Sequence, residues 1–384
     1  MRPWTRRSHP DPDIIARLRL ARTEGVGPIT WRRLLARFGS AGAALEAVPR
    51  LARAGGRAQP VVIPPPEDAA AECAALARMG GMLLFLGDPG YPPLLAQLDD
   101  APACLSVLGD PAALAAPAIA IVGGRNASSN GRTIAEMLAR DLAAQLVVVS
   151  GLARGIDTAA HQGALDAGRT VAVVAGGLDR PYPEANAALQ DRIAASGAVV
   201  AEAPLGTTPQ ARHFPRRNRI IAGLSLGVVV VEAALRSGSL ITARRAQEAG
   251  REVFAVPGSP LDPRAHGGNG LLRDGAVLVE TAADVLAALP RIEGVTGYLG
   301  AAAAPPEASP DPTLPLLPSV PEAPDTAHET VRALLSADPV AVDDLVRRCQ
   351  LSPSAVAAVL LDLELAGALE ALPGGRVMLL PAAH

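Results

Sequence analysis

The sequence predicts an α/β protein: a Rossmann-like, doubly wound and mostly parallel sheet, with a small helical N-terminal domain and a C-terminal winged-helix-like domain. Two observations predict the sheet. Between about residues 82 and 289, short apolar runs alternate with helical patterns, as in parallel sheets covered by helices on both faces. Most of these runs also end at glycine or small polar residues, where a strand would turn into the next helix.

Each strand and each domain can be assigned from these patterns. The predicted strands span residues 82–86, 118–122, 146–150, 170–175, 198–202, 227–232 and 252–256, with 277–280 as a further candidate. The predicted domains are a helical domain at 1–75, the sheet domain at 76–300, a Pro- and Ala-rich linker at 301–325 and the winged-helix-like domain at 326–384.

The two flanking domains follow from local signals. A short turn at Gly25-Val26-Gly27-Pro28 separates two helical patterns, which is typical of a helix-hairpin-helix or SAM-like unit. The amides of such a turn can contact a phosphate backbone, although a plain helical bundle fits the pattern equally well. Near the C-terminus, three helical patterns precede two strands around Pro373-Gly374-Gly375, and Ser352-Pro353 is a good start for the third helix.

Composition excludes several classes of protein. The chain contains 35 Lys+Arg residues, and all of them are arginine. A Walker A phosphate loop and a Schiff-base enzyme both need lysine, so both are excluded. The cysteines at 73, 104 and 349 are scattered and suit a reduced cytoplasm, without a disulfide framework or metal-ligand spacing. No apolar run reaches the ~18 residues of a membrane helix, and the N-terminus lacks the apolar middle of a signal peptide.

Charge is spread unevenly along the chain although the formal net charge is only −3. Residues 1–60 carry twelve arginines and four acidic residues, and residues 210–251 carry eight arginines and two acidic residues. Residues 301–384 reverse the balance, with four arginines and eleven acidic residues. Local basic patches beside an acidic end fit a nucleic-acid-binding protein better than the overall charge suggests.

The most informative stretch runs from Ala118 to Asn130. A buried strand ends at Gly123-Gly124, Arg125 follows at once, and a helix begins near Ser128 or Ser129. A glycine turn that leads into a helix N-terminus is a ready site for an anion, and an arginine at its mouth adds a planar fork for phosphate oxygens.

Similar small, polar and basic residues follow the other strands. The carboxyl ends of parallel strands share one edge of a sheet, where doubly wound folds bind ligands. We therefore expect a phosphate-binding site there, made by Gly123, Gly124, Arg125, Ser150, Gly151, Arg154, Gly155, Phe214, Arg216, Arg217, Asn218, Arg219, Ser237, Gly238 and Ser239.

Catalytic chemistry is not evident in these segments. Asp157 is better placed to cap a helix than to catalyse, and His161 to pack or hydrogen-bond. No nucleophile, base and orienting group can be recognised from spacing. No dinucleotide-binding glycine motif with its acidic partner is present, so we expect no cofactor, no metal and no enzymatic activity.

Several stretches together resemble the DNA-processing protein A family (DprA, also called Smf). They are IVGGRNAS, SGLARGIDTAAHQGAL, VAGGLDRPYPEAN, FPRRNRIIAGLS, VVVVEAALRSGSLITARRAQEAGREVFAVPGS and GGNGLLRDGA, within residues 82–290. The resemblance implies a non-enzymatic, homodimeric single-stranded-DNA-binding protein that loads the RecA recombinase onto DNA taken up in natural transformation. Arg125 matches the arginine of the family's Gly-Ser-Arg motif, with Gly124 in place of the serine. The resemblance also adds Asn269 to the DNA-binding set, and any lysine contact of the family must be made here by arginine.

The residues predict how DNA would be bound. With aromatic residues at 2% of the chain, phosphate contacts should dominate, and Phe214 is the best candidate for stacking on a base. Little sequence preference is expected, because backbone contacts carry no base information.

Two other functions remain open. One is a nucleotide or nucleoside-phosphate hydrolase on a related sheet, although Pro257-Gly258-Ser259-Pro260 stands where such relatives often carry a Pro-Gly-Gly-x-Gly-Thr loop. The other is a transcription regulator that uses the winged helix, although its third helix is acidic and lacks arginine.

Overall fold

The computed structural model describes residues 11–289, 325–372 and 374–380. The chain packs as two compact units. Among the described residues, the sheet unit comprises 72–289, and the small-domain unit joins 11–71 to 325–372 and 374–380. The predicted linker lies outside the described residues, apart from its last residue.

Fifteen α-helices occur in the described residues. In chain order they are α1 (Pro12–Arg22), α2 (Pro28–Phe38), α3 (Ala41–Ala54), α4 (Pro66–Arg78), α5 (Pro93–Ala96), α6 (Ser129–Ala143), α7 (Ile156–Ala167), α8 (Ala187–Ser196), α9 (His213–Leu224), α10 (Ser239–Glu248), α11 (His266–Arg273), α12 (Ala282–Ala288), α13 (Asp325–Leu334), α14 (Val342–Cys349) and α15 (Pro353–Leu365). Within the described ranges, none of them has the length and apolar content needed to cross a membrane.

The strands of the sheet unit form one twisted layer. Its described strands are β1 (Met82–Phe85), β2 (Cys104–Gly109), β3 (Ala118–Gly123), β4 (Val147–Ser150), β5 (Thr170–Val174), β6 (Ala198–Ala201), β7 (Gly227–Val231), β8 (Glu252–Ala255) and β9 (Val277–Leu278). Their order is β1-β2-β6-β5-β4-β3-β7-β8-β9. The strands from β6 to β9 are parallel, and β2 pairs antiparallel with both β1 and β6. The predicted doubly wound, mostly parallel sheet is therefore confirmed, and β2 is a strand that the sequence analysis missed.

The sheet is filled by small aliphatic side chains on both faces. Along β3, Ile119 and Ile121 belong to the apolar layer beneath α6 and α7, whereas Ala120 and Val122 point into the layer shared with α9. This alternation is the two-residue period of a strand. The aromatic-poor sequence therefore still supplies an apolar layer on each face of β3.

The direction of winding reverses at β3. From β3 the chain adds β4, β5 and β6 on one side, and it later returns to add β7, β8 and β9 on the other. A crevice opens at such a reversal, outside the carboxyl ends of the two central strands. Here that crevice lies beyond β3 and β7, where Gly123 pairs with Val231.

The small-domain unit contains both predicted flanking domains. Its C-terminal part is a winged helix, with α13, α14 and α15 beside a sheet of β10 (Val340–Ala341), β12 (Arg376–Leu379) and β11 (Leu369–Leu372). Ser352 caps α15 by accepting a hydrogen bond from the amide of Ala355, as its sequence predicts. Its N-terminal part is the helical domain, and α15 packs against α3 and α2.

Candidate functional site

An arginine stacked on a phenylalanine stands at the centre of the crevice. Arg125 follows the glycine turn after β3, and its guanidinium carbon lies 4.6 Å from the ring centroid of Phe214 on α9. Stacking covers one face of the guanidinium and leaves its N–H edges directed outward. Arg125 is exposed to solvent, so these donors are available to an external anion.

A cavity of about 450 Å³ opens on one side of this stack. We call it the arginine–aromatic pocket; its charged and aromatic lining residues are Arg125, Arg154, Arg180, Tyr182 and Phe214. Among the described residues, no carboxylate lines it. Arg180 lies 3.5 Å from the carboxylate of Asp179, whereas Arg125 and Arg154 have no ion pair among the described residues. This positive charge favours a negatively charged ligand.

Tyr182 extends the aromatic surface of this pocket. Its ring centroid lies 5.8 Å from that of Phe214, with the planes tilted by 55°, and Tyr182 is 49% exposed. The other described aromatic rings of the sheet unit, those of Phe85, Tyr91 and Phe254, are buried in its core. Tyr182 is thus a second candidate for stacking beside Phe214, and the sequence analysis overlooked it. The available signal was its position in the loop after β5.

A second cavity of about 520 Å³ shares Arg125 and Phe214 with the first and lies over the point where the winding reverses. We call it the switch-point pocket. Its lining includes the predicted residues Gly123, Gly124, Arg217, Asn218, Ser237, Gly238 and Ser239, together with Arg236 and Arg264, which were not predicted. Arg264 is paired with Asp262 at 2.8 Å, whereas Arg236 has no ion pair among the described residues.

The serine loop of this pocket is ordered by its own hydrogen bonds. The hydroxyls of Ser237 and Ser239 lie 2.7 Å apart, and the side-chain amide of Asn218 donates to the carbonyl of Gly238. The loop after β7 therefore has a fixed shape beside α9, and Asn218 contributes by holding it.

The predicted anion site at the N-terminus of α6 is filled by the chain itself. The carboxylate of Glu232, which follows β7, accepts hydrogen bonds from the amide and the hydroxyl of Ser128. Ser128 in turn caps the amide of Gly131 at 2.9 Å. This helix end is therefore not open to an external phosphate, which corrects the expectation from sequence.

Two glycines serve close packing at this edge. A Cβ on Gly151 would lie 1.5 Å from a guanidinium nitrogen of Arg217, so only glycine leaves room for that side chain. Gly155 has a φ of +82°, and a Cβ there would lie 2.3 Å from the carbonyl oxygen of Gly124. Gly155 thus brings the loops after β3 and β4 together, and Gly151 lets the loop after β4 pack on Arg217 of α9.

Arg217 is buried beneath the pockets. Its guanidinium donates to the carbonyl of Val173 at 2.9 Å. Burial lowers the pKa of Arg217 to about 10, and the nearby charge of Asp157 opposes that shift. Burial likewise raises the pKa of Asp157, which accepts a hydrogen bond from the amide of Ala153. Arg217 stays charged at neutral pH and adds positive potential from below.

Besides Gly155, four predicted contact residues line neither pocket. Ser150 is fully buried and donates to the carbonyl of Ile121, and Arg219 is 5% exposed and bound to Glu202 at 2.6 Å. Arg216 is exposed but lines neither pocket, and Asn269 forms two hydrogen bonds with the backbone of Gly258. Their positions in the sequence predicted that all four lie at the edge of the sheet. Ser150, Arg219 and Asn269 are instead held by partners within the protein.

His161 is a core residue, as its helical position predicts. It is fully buried, and its Nδ1 lies 2.8 Å from the hydroxyl of Thr170. That hydroxyl donates to the carbonyl of Val148, so Nδ1 must be the donor to it. In the described part of the chain, no cluster of His, Cys, Asp or Glu has the arrangement of a metal site.

The fold and the edge together define a class: a Rossmann-like protein with a cationic, aromatic-lined carboxyl edge and two small accessory domains. Family comparison matches residues 82–290 to DNA recombination-mediator protein A, residues 11–75 to the DprA-like N-terminal HHH domain and residues 301–375 to the DprA winged helix domain. The chain belongs to the DprA/Smf family, as its motifs indicate.

Individual relatives agree with this assignment. The chain is 50% identical over 201 residues to the DNA processing protein DprA of Streptococcus pneumoniae, covering 52% of this chain and 71% of that protein. It is 42% identical over 301 residues to the protein Smf of Escherichia coli, covering 77% and 76% respectively. The solved structure of the S. pneumoniae protein superposes with a TM-score of 0.59 at 38% identity, covering 72% of this chain and 97% of that one.

Proposed function

We propose that this protein binds single-stranded DNA at the carboxyl edge of its sheet, through the phosphate backbone and without sequence preference. The observation that carries the proposal is the arginine–aromatic pocket. Exposed guanidinium groups and two tilted aromatic rings share one cavity in a chain with very few aromatic residues. Single strands are bound in this way, by cations along the backbone and by rings on which bases stack.

The two pockets suggest a path for the strand. They share Arg125 and Phe214, so a phosphate held at Arg125 would have a nucleoside on either side of the stack. Tyr182 and Phe214 offer ring faces to a base on one side, and the Ser237–Ser239 loop offers hydroxyls on the other. Every base has a face to stack, so this arrangement tolerates any sequence.

We infer that the protein is not an enzyme. The carboxylates that border the switch-point pocket already have internal roles: Glu232 holds Ser128, and Asp157 is buried beside Arg217. Incubation with nucleotides and oligonucleotides, followed by chromatography for released base, phosphate or shortened strand, tests this inference. Product formed in proportion to protein would contradict it.

The family resemblance extends the proposal to a role in the cell. We propose that a homodimer in the cytoplasm protects incoming single strands and loads RecA onto them during natural transformation or recombination. Light scattering would measure the oligomeric state. Strand exchange by RecA on DNA coated with single-strand-binding protein should start sooner when this protein is added, and an unchanged lag would contradict loading.

The DNA site is tested by anisotropy titrations with a fluorescent oligo-dT strand. Arg125→Ala with Arg154→Ala should weaken binding at least tenfold, and should make the slope of log affinity against log salt shallower by about 0.7 for each phosphate that the variant no longer neutralises. Phe214→Leu should weaken binding by about 1–2 kcal/mol, roughly tenfold, with an unchanged salt slope, because it removes stacking and no charge.

A matched control is available on the same unit. Arg140 on α6 is exposed and pairs with Glu136 and Asp166, away from both pockets. Arg140→Ala should bind DNA like the parent protein. Equal loss from Arg140→Ala and from the Arg125→Ala, Arg154→Ala double variant would mean that overall charge and not this site governs binding.

A further inference from the structure

The third helix of the winged helix is covered on its acidic side by the helical domain of the same chain. In helix-turn-helix proteins the corresponding recognition helix lies in a DNA groove. Here α15 packs on α2 and α3, and Asp362 near its C-terminal end is only 6% exposed. In this arrangement α15 is not free to enter a groove.

The backbone of α15 lies against two glycines of the helical domain. A Cβ on Gly25, in the predicted hairpin turn, would lie 3.6 Å from the carbonyl oxygen of Leu365, and one on Gly55, just after α3, would lie 1.9 Å from that of Asp362. The C-terminal end of a helix carries a negative partial charge. A negative helix end thus lies beside the turn that the sequence predicts could contact phosphate.

The side chains across this contact are oppositely charged. Arg33 on α2 lies 3.6 Å from the carboxylate of Glu364, and Arg57 donates to the carbonyl of Leu365. The charges of Arg37 and Arg50 act on Asp362, which also accepts a hydrogen bond from His328. We call the side of the helical domain formed by Arg33, Arg37, Arg50 and Arg57 the basic face. An acidic part and an arginine-rich part of the sequence therefore meet here, with the acidic helix α15 packed on the basic face.

These charges are incompletely hydrogen-bonded. Buried nitrogens of Arg33 and Arg37 and buried oxygens of Asp362 and Glu364 lack a hydrogen-bond partner among the described residues. Buried charges stabilise a contact only when their hydrogen bonds are complete, because desolvation opposes the attraction. Such a contact is stabilised less than a fully hydrogen-bonded one, so a phosphate backbone could replace the carboxylates on the basic face.

We propose that the basic face of the helical domain is a second binding surface for single-stranded DNA, and that α15 is an internal competitor that covers it. This surface is distinct from the two pockets of the sheet unit. The partner is recognised by its chemistry: a flexible chain of phosphates that presents more negative charge than the two carboxylates and the helix end of α15.

A steric wedge at the contact tests the proposal. Gly55 has an ordinary backbone conformation, with a φ of −72°, so Gly55→Leu introduces no strain of its own but overlaps the backbone of Asp362. Gly42→Leu is the matched control, because Gly42 lies in the first turn of α3, with nothing within 4 Å of its Cβ position. Both changes are made in the full chain carrying Arg125→Ala and Arg154→Ala, which disables the sheet-edge site.

We expect the Gly55→Leu protein to bind oligo-dT at least tenfold more tightly at low salt than the Gly42→Leu protein. Adding Arg33→Ala and Arg37→Ala should abolish that gain. Asp362→Asn with Glu364→Gln preserves shape and removes the competing charge, so it should also increase binding, by at least threefold, even where the wedge disturbs folding.

Two results would overturn the proposal. One is that neither the wedge nor the neutralised helix binds more tightly than the Gly42→Leu control. The other is a gain that persists without Arg33 and Arg37. The sheet-edge site is judged separately, since its failure would appear as equal binding by the parent protein and by the Arg125→Ala, Arg154→Ala protein.

Discussion

Arginines line both the carboxyl edge of the sheet and the contact beneath α15, but those at the edge are exposed and those beneath α15 face carboxylates. At the edge, Arg125 and Arg154 are exposed beside a cavity that no described carboxylate lines. Beneath α15, Arg33 faces Glu364, and the positive charge of Arg37 opposes the rise that burial causes in the pKa of Asp362. The difference teaches that an arginine-rich segment predicts a binding site only where the chain does not supply the anion itself.

The same contrast recurs within the single segment Arg216-Arg217-Asn218-Arg219. Arg217 is held by a backbone carbonyl and by the charge of Asp157, and Arg219 by a carboxylate. These two arginines stabilise the floor of the site, whereas Arg125 is available at its surface. Variants of the floor should therefore lose stability, and variants of the surface should lose affinity.

The largest expected effect is a loss of stability from a substitution beside Arg217, beneath the site. Gly151→Ala would place a methyl group on the guanidinium of Arg217 and displace it from the carbonyl of Val173. An uncompensated buried charge and a clash should together destabilise the fold by roughly 3 kcal/mol or more. Urea unfolding measures the change.

Gly238→Ala is the control for this substitution. Gly238 borders the switch-point pocket, has a φ of −61°, and has nothing within 4 Å of its Cβ position. It should change stability by less than about 0.5 kcal/mol. Equal losses at Gly151 and Gly238 would contradict the role given to Arg217.

The next prediction compares how the stability of each unit depends on pH. Burial lowers the pKa of His161 to about 3. Between pH 6.5 and 3 the unfolded chain therefore binds more protons than the folded one, and stability is lost as the pH falls through that window. At pH 5 the loss should be roughly 2 kcal/mol, and His161→Gln should remove this part of the acid sensitivity.

The small-domain unit should respond in the opposite sense at its own buried group. Burial raises the pKa of Asp362, against the opposing charges of His328, Arg37 and Arg50. The folded state therefore takes up that proton first, and this carboxyl loses its contribution as the pH rises. Because Asp157 on α7 also has a raised pKa, hydrogen exchange of α7 is compared between the parent and His161→Gln proteins, and that of α15 between the parent and Asp362→Asn proteins, at a series of pH values. Parallel loss of protection in both helices with acid would contradict the contrast.

Sequence patterns predicted the sheet well because each parallel strand is a local apolar run followed by its own helix. They missed β2 because it lies outside that alternation and pairs antiparallel, although the run from Cys104 to Gly109 was a usable signal. They located Arg125 and Phe214 at one edge because strand ends are local features.

The partners that decide the other arginines are distant in sequence. Arg219 is separated by 119 residues from the carbonyl of Asp100 that it contacts, and Arg57 by 308 residues from that of Leu365. No periodicity or spacing reports such pairs. Whether an arginine is held by an internal partner or is open to solvent could therefore be seen only in the folded structure.

The smallest expected effect sharpens the comparison within one pocket. Arg236 and Arg264 both line the switch-point pocket, but Arg264 makes a two-pronged ion pair with Asp262 and Arg236 has no ion pair among the described residues. If a cation must lack an internal anion to serve DNA, Arg236→Ala should weaken oligo-dT binding about fivefold and make the salt slope shallower by about 0.7. Arg264→Ala should weaken binding less than twofold, because the Asp262 charge already offsets it. A larger loss from Arg264→Ala than from Arg236→Ala would show that internal pairing does not decide which arginines bind.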